Sequence, residues 1–136
     1  FWALVSAGFA ALTAIFGKLG VAAINSDMAT LIRTGVILVV TLILVLASGQ
    51  WVAMRAVPRA TWFFLVLSGL ATGASWLAYY RALKLGEASR VATIDKLSVV
   101  MVAIFAAIFL GERLAAVNWL GVGLIAAGAV LVAMRF

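Results

Sequence analysis

Long apolar runs, each close to the length of a bilayer crossing and divided by short polar punctuation, set the pattern of this chain. A helix rises about 1.5 Å per residue, so about 20 apolar residues cross a hydrocarbon core ~30 Å thick. The runs predict helical spans at about 2–24, 28–48, 60–83, 91–110 and 116–134. Asn25-Ser26-Asp27 supplies a turn and a helix cap between the first two spans. Gly49-Gln50 ends the second, and Trp51 to Arg59, with Pro58, forms a polar connection. Lys84-Leu-Gly-Glu-Ala-Ser-Arg90 is the next loop, and Gly111-Glu112-Arg113 is a tight turn before the fifth span. Helices joined by such short loops pack as antiparallel neighbours. The reading is an all-α integral membrane protein, a five-helix bundle forming a single domain over residues 1–136.

Composition removes the soluble alternative. Of 136 residues, 68% are hydrophobic and 10% charged, whereas a soluble domain is about 25% charged. The net charge of +6 does not read as a nucleic-acid surface, because the basic residues are scattered through apolar segments. They read as topology signals and as anchors for anionic headgroups. Five spans place Lys18, Arg33, Arg81, Lys84, Arg90, Lys96 and Arg135 towards one side, and Arg55, Arg59 and Arg113 towards the other. The positive-inside rule then favours an outside N-terminus and an inside C-terminus. Setting aside Lys18, Arg33 and Lys96 as buried leaves four against three, so dual insertion stays open. With no Cys and no His, the chain has no disulfide framework and lacks the usual zinc and copper ligands; no metal or other cofactor is expected. The first apolar stretch is long enough to span and lacks a processing site, so no cleavable signal is expected.

Against this background the polar positions inside the spans stand out. Asp95 and Lys96 interrupt the run Val91 to Leu110, where each charge at the bilayer centre costs about 2.5 kcal/mol or more. Such residues face a protein interior or a wet cavity and are candidates for function. Adjacent residues point about 100° apart on a helix, so Asp95, leading a face with Ser98, Val99, Val102 and Ala106, is the better cavity candidate. Lys96 would point between helices or snorkel. Arg33, flanked by Thr30 and Thr34, lies about six residues inside the second span. It either snorkels or pairs, and Arg33–Asp95 and Lys18–Asp95 are both plausible ion pairs. In the third span Ser68, Thr72, Ser75 and Tyr79 form one helical stripe, with Gly69, Gly73, Trp76 and Tyr80 beside it. The stripe is either packing glue or a cavity wall, with Trp76 deeper than a belt aromatic. Gly69 with Gly73, and Gly121 with Gly128, suit close helix packing. Ser6 and Thr13 read as packing. No nucleophile–base pair, phosphate loop or metal cluster supports an enzyme.

The stretch Phe109-Leu-Gly-Glu-Arg-Leu114, followed by Asn118-Trp-Leu-Gly-Val-Gly-Leu-Ile-Ala-Ala-Gly-Ala-Val-Leu131, resembles the end of an EamA-type repeat of the drug/metabolite transporter superfamily. Ala82-Leu83, Ala88-Ser89 and Ala92 look like its loop between helices three and four. Ala92-Thr-Ile-Asp-Lys-Leu-Ser98, Ile32-Arg33-Thr34 and Trp76-Leu-Ala-Tyr79 are similar to the short single-repeat members. The resemblance covers essentially the whole chain.

It implies one half of a ten-helix inverted-repeat transporter, without the fourth-helix proline that many relatives carry near the position of Val99. The Asp95-Lys96 pair marks a comparable irregularity. Inverted-repeat transporters bind substrate between two repeats, so a homodimer is expected, and an antiparallel pair would reproduce the inverted arrangement. The expectation is a bacterial inner-membrane carrier of small polar or amphipathic solutes working by alternating access. Its substrate site would draw on Arg33, Ser75, Trp76, Tyr79, Asp95 and Ser98, with Asp95, Lys96 and Lys18 in coupling or ion pairing. A non-transporting subunit or a lipid-translocating accessory unit is the alternative.

Overall fold

A computed structural model describes residues 1–52 and 56–134. Their regular elements are six helices: α1 (Trp2–Val21), α2 (Ser26–Ala47), α3 (Arg59–Leu85), α4 (Ala88–Asp95), α5 (Leu97–Phe109) and α6 (Ala116–Ala133). No strand occurs among the described residues. With α4 and α5 taken together, five stretches are long and apolar enough to cross a membrane. The chain is therefore the all-helical, five-span protein that its apolar pattern predicts. Arg55 and Arg135, counted above as topology signals, lie outside the described residues.

The polar punctuation stops and starts these helices. Asn25 is extended, with ψ 138°, and its side-chain oxygen accepts the Asp27 N–H at 2.8 Å. That satisfies one of the donors a helix start leaves unpaired. At the other end of α2, Gly49 turns left-handed with φ 66°. The Gly49 and Gln50 N–H groups then reach back to the Leu46 and Val45 carbonyls, both at 3.2 Å. This is a Schellman closure, which glycine enters without a Cβ clash. Gly111 is also left-handed, with φ 68°, and after it the Glu112 N–H reaches back to the Ala106 carbonyl at 3.2 Å.

The fourth span departs from a continuous helix. It divides at Lys96, where φ −67° and ψ −10° tighten the backbone. The Lys96 N–H bonds the Thr93 carbonyl at 3.1 Å, and its own carbonyl accepts from Val99 at 3.0 Å. Both bonds span three residues, the 3₁₀ spacing that often marks a hinge. Just before this step the Thr93 hydroxyl bonds the Ser89 carbonyl at 2.7 Å, satisfying itself within α4.

The chain forms two units, one of Phe16–Lys84 and one of Phe1–Ile15 with Leu85–Phe136. In the second, α4 and α5 both pack on α6. In the first, the end of α1, the start of α2 and the end of α3 share a small core with Val21 and Leu83 fully buried. Tyr80, Ala29, Ser26 and Thr30 complete it. Elsewhere large apolar side chains face outward, among them Leu38, Phe64, Leu70, Val102 and Ile108. Such a surface would aggregate in water and is at home in lipid.

Candidate functional site

In the unit of Phe16–Lys84, the polar side chains gather towards the end where α1 stops, α2 starts and α3 stops. Arg33 is seven residues into α2, a depth of about 10 Å. Its guanidinium carbon lies 3.2 Å from the centroid of the Trp76 ring and 5.9 Å from that of Tyr80. The face of an aromatic ring is negative, so a cation held against it is stabilised by about 0.5–2 kcal/mol, more as water is excluded. Trp76 also meets Tyr79 edge-on, with ring centroids 5.5 Å apart. Arg33, read from the sequence as a candidate on the second span, and Trp76 and Tyr79, read together on the third, thus form one cluster across α2 and α3.

Tyr80 fixes this cluster to α1. It is buried, and its ring passes over Gly17, where an added Cβ would lie 3.2 Å from the hydroxyl. Sequence reasoning set Tyr80 merely beside the stripe and did not single out Gly17. A helical glycine in an apolar run carries no mark of which ring passes it.

Three further links close the same end. Arg81 grips Asp27 through two bonds, Nε to Oδ1 at 3.1 Å and Nη2 to Oδ2 at 2.9 Å. Lys84 Nζ donates to the Ile24 carbonyl at 2.7 Å, and Lys18 Nζ to the Leu83 carbonyl at 2.6 Å. Leu83 is in the last turn of α3, whose carbonyls lack helical partners, so a lysine there caps the helix. The Arg81–Asp27 pair was absent from the sequence reading. Its signal was an acid in the first turn of one span and a base in the last turn of another.

Asp95, Lys96 and Ser98 belong to the other unit, at the break between α4 and α5. Asp95 Oδ2 lies 3.9 Å from Lys96 Nζ. The sequence expectation was that adjacent side chains diverge. The long lysine stem folds back far enough to reach ion-pair range, though not hydrogen-bond distance. The face drawn from Asp95 through Ser98 to Ala106 crosses this step, at the position where the sequence marks an irregularity.

The hydroxyl residues divide into two sets. Thr30 and Thr34 bond the carbonyls four residues back at 2.9 and 2.8 Å, which neutralises them inside α2. Ser68, Thr72 and Ser75 on α3 are exposed, and among the described residues their hydroxyls make no hydrogen bond. The glycines behave differently from their sequence reading within this chain. A Cβ at Gly69, Gly73, Gly121 or Gly128 would meet nothing within 4 Å, so the close approach is at Gly17 instead. No group of acidic residues able to hold a metal ion occurs among the described residues.

Comparison with known proteins extends over almost the whole chain. The model of the family described as EamA-like transporter family matches residues 1–134. A protein of Sinorhizobium sp, described as an uncharacterized transporter in the cobO 3' region, is 68% identical over 134 residues, covering 98% of this chain and 95% of its own length. No solved structure matches.

Proposed function

Because the chain belongs to the EamA-like transporter family, we propose that this membrane transporter carries small polar or amphipathic solutes by alternating access, as a dimer in a bacterial inner membrane. The observation that carries this reading is the break at Lys96 beside Asp95. Broken helices at membrane depth, bearing ionisable side chains, are where secondary transporters place substrate and coupling ions. A continuous helix satisfies its own backbone, whereas a 3₁₀ step changes which carbonyls are paired and where side chains point. Asp95 supplies the charge at that step; in the other unit Arg33, Trp76 and Tyr79 form their own cationic and aromatic cluster.

The dimer follows from the repeat argument. Substrate lies between two repeats in inverted-repeat carriers, and residues 1–134 supply one five-span unit. The outward apolar faces, with open glycines at 69, 73, 121 and 128, are surfaces on which a second copy can pack.

The test is uptake into proteoliposomes. Asp95→Asn keeps the shape of the side chain and removes its charge. It is expected to abolish flux while membrane expression and melting behaviour stay at wild-type levels. Full flux from the variant would remove Asp95 from the mechanism.

A further inference from the structure

We infer that Arg33 is an oxyanion receptor, and that the solute this protein handles is an amphipathic organic anion. The solute class rests on the transport reading above; the receptor itself rests on geometry alone.

Within residues 16–84 the sequence contains one carboxylate, Asp27. Arg81 already holds both of its oxygens. Lys18, Arg81 and Lys84 each give donors to a protein oxygen. Arg33 does not: its contacts are the faces of Trp76 and Tyr80, and among the described residues it donates no hydrogen bond. A cation at this depth with all its N–H groups unmet is costly. The arrangement is stable in use only if something brings an acceptor.

The stacking defines which acceptor fits. A guanidinium lying on an indole uses its face, and its N–H groups radiate from the edge. The free edge is the fork that matches a carboxylate or phosphate in bidentate fashion. Stacking also holds the cation level with Trp76 instead of letting it reach for the bilayer surface. Trp76 and Tyr79 beside it offer apolar faces for the body of the ligand. Thr72, one turn before Trp76 on α3, carries an unbonded hydroxyl on the same face. The pattern is a charged head beside an aromatic body, which is the pattern of an organic acid.

Titration of the purified full chain with four probes tests this: benzoate, its neutral analogue benzamide, the cation benzyltrimethylammonium, and dihexanoyl phosphatidic acid. Benzoate is expected to bind about tenfold tighter than benzamide, the worth of one charge-assisted interaction. Arg33→Gln should erase that preference, and Arg33→Lys should keep only part of it. Trp76→Leu should weaken benzoate binding while leaving Arg33 charged, and it serves if Arg33→Gln does not fold. Equal binding of benzoate and benzamide, or a benzoate preference that survives in Arg33→Gln, would overturn the inference. So would a response to phosphatidic acid alone, which assigns the cation to lipid headgroups. The readout is binding, so the two readings fail separately. Benzoate bound without any flux sinks transport and leaves the receptor, whereas flux with no anion preference does the reverse.

Discussion

A Cβ built at Gly17 would sit 3.2 Å from the Tyr80 hydroxyl and 3.4 Å from a Leu83 methyl. At those distances the neighbours must yield a few tenths of an ångström. Gly17→Ala therefore sets a small clash against the ~1 kcal/mol that alanine gains over glycine in a helix interior, and the two nearly cancel. Gly17→Leu has no such offset. It should lower stability by about 1–3 kcal/mol through overpacking, and it should loosen Tyr80 and with it the Arg33–Trp76 stack. Denaturation in detergent, with the two variants side by side, separates the cases; equal stability would mean that α1 does not approach α3 here. The depth of Arg33 and of Trp76 was legible in the sequence, because distance from a span's end is a matter of counting. Their mutual contact was not, since a linear pattern gives the phase of each helix but not which faces meet.

At the scale of the elements, apolar run length fixed the five spans, and Asn25, Gly49 and Gly111 fixed several of their ends. These residues act through local geometry, which is why they could be read directly. Gly49 makes the point quantitative. Its φ of 66° is strained for any residue with a Cβ, so Gly49→Ala should cost about 1–2 kcal/mol and fray the last turn of α2. Amide exchange at Leu46, Gly49 and Gln50 reports this, and unchanged protection there would contradict it. The division of the fourth span was harder to foresee. Without proline or glycine, the 3₁₀ step at Lys96 is marked in the sequence only by its charges. Backbone geometry there reflects the balance between helix continuity and the solvation of two ionisable groups, which periodicity does not report.

Across the whole molecule, the outward apolar surface calls for lipid, and the proposed dimer turns on how each copy is oriented in it. Cysteine-free sequence makes this simple to probe. Gln50 follows α2 and Glu87 precedes α4, and both are exposed. A cysteine placed singly at each should label from opposite sides if the chain inserts one way. Labelling of each site from both sides shows dual insertion and supports an antiparallel dimer. Exclusive one-sided labelling would exclude that dimer and leave a parallel pair. The family was legible from the order and spacing of its motifs, because they run along the chain. Orientation was not, because the basic residues divide too evenly between the two sides.

The three links that join the α1–α2 turn to the end of α3 have a mechanical consequence. Lys18, Arg81 and Lys84 fasten α3 at one extremity, so that extremity is a fulcrum and the rest of the helix is a lever arm. From Lys84 to Arg59 the arm is about 37 Å long at 1.5 Å per residue. A tilt of about 10° about the fastened end would carry the Arg59 end roughly 6 Å while barely moving Tyr80. Trp76, two turns from the fulcrum, would shift by roughly 2 Å over the same tilt. Such a lever would move the aromatic backing of the cation about a third as far as the Arg59 end of the helix.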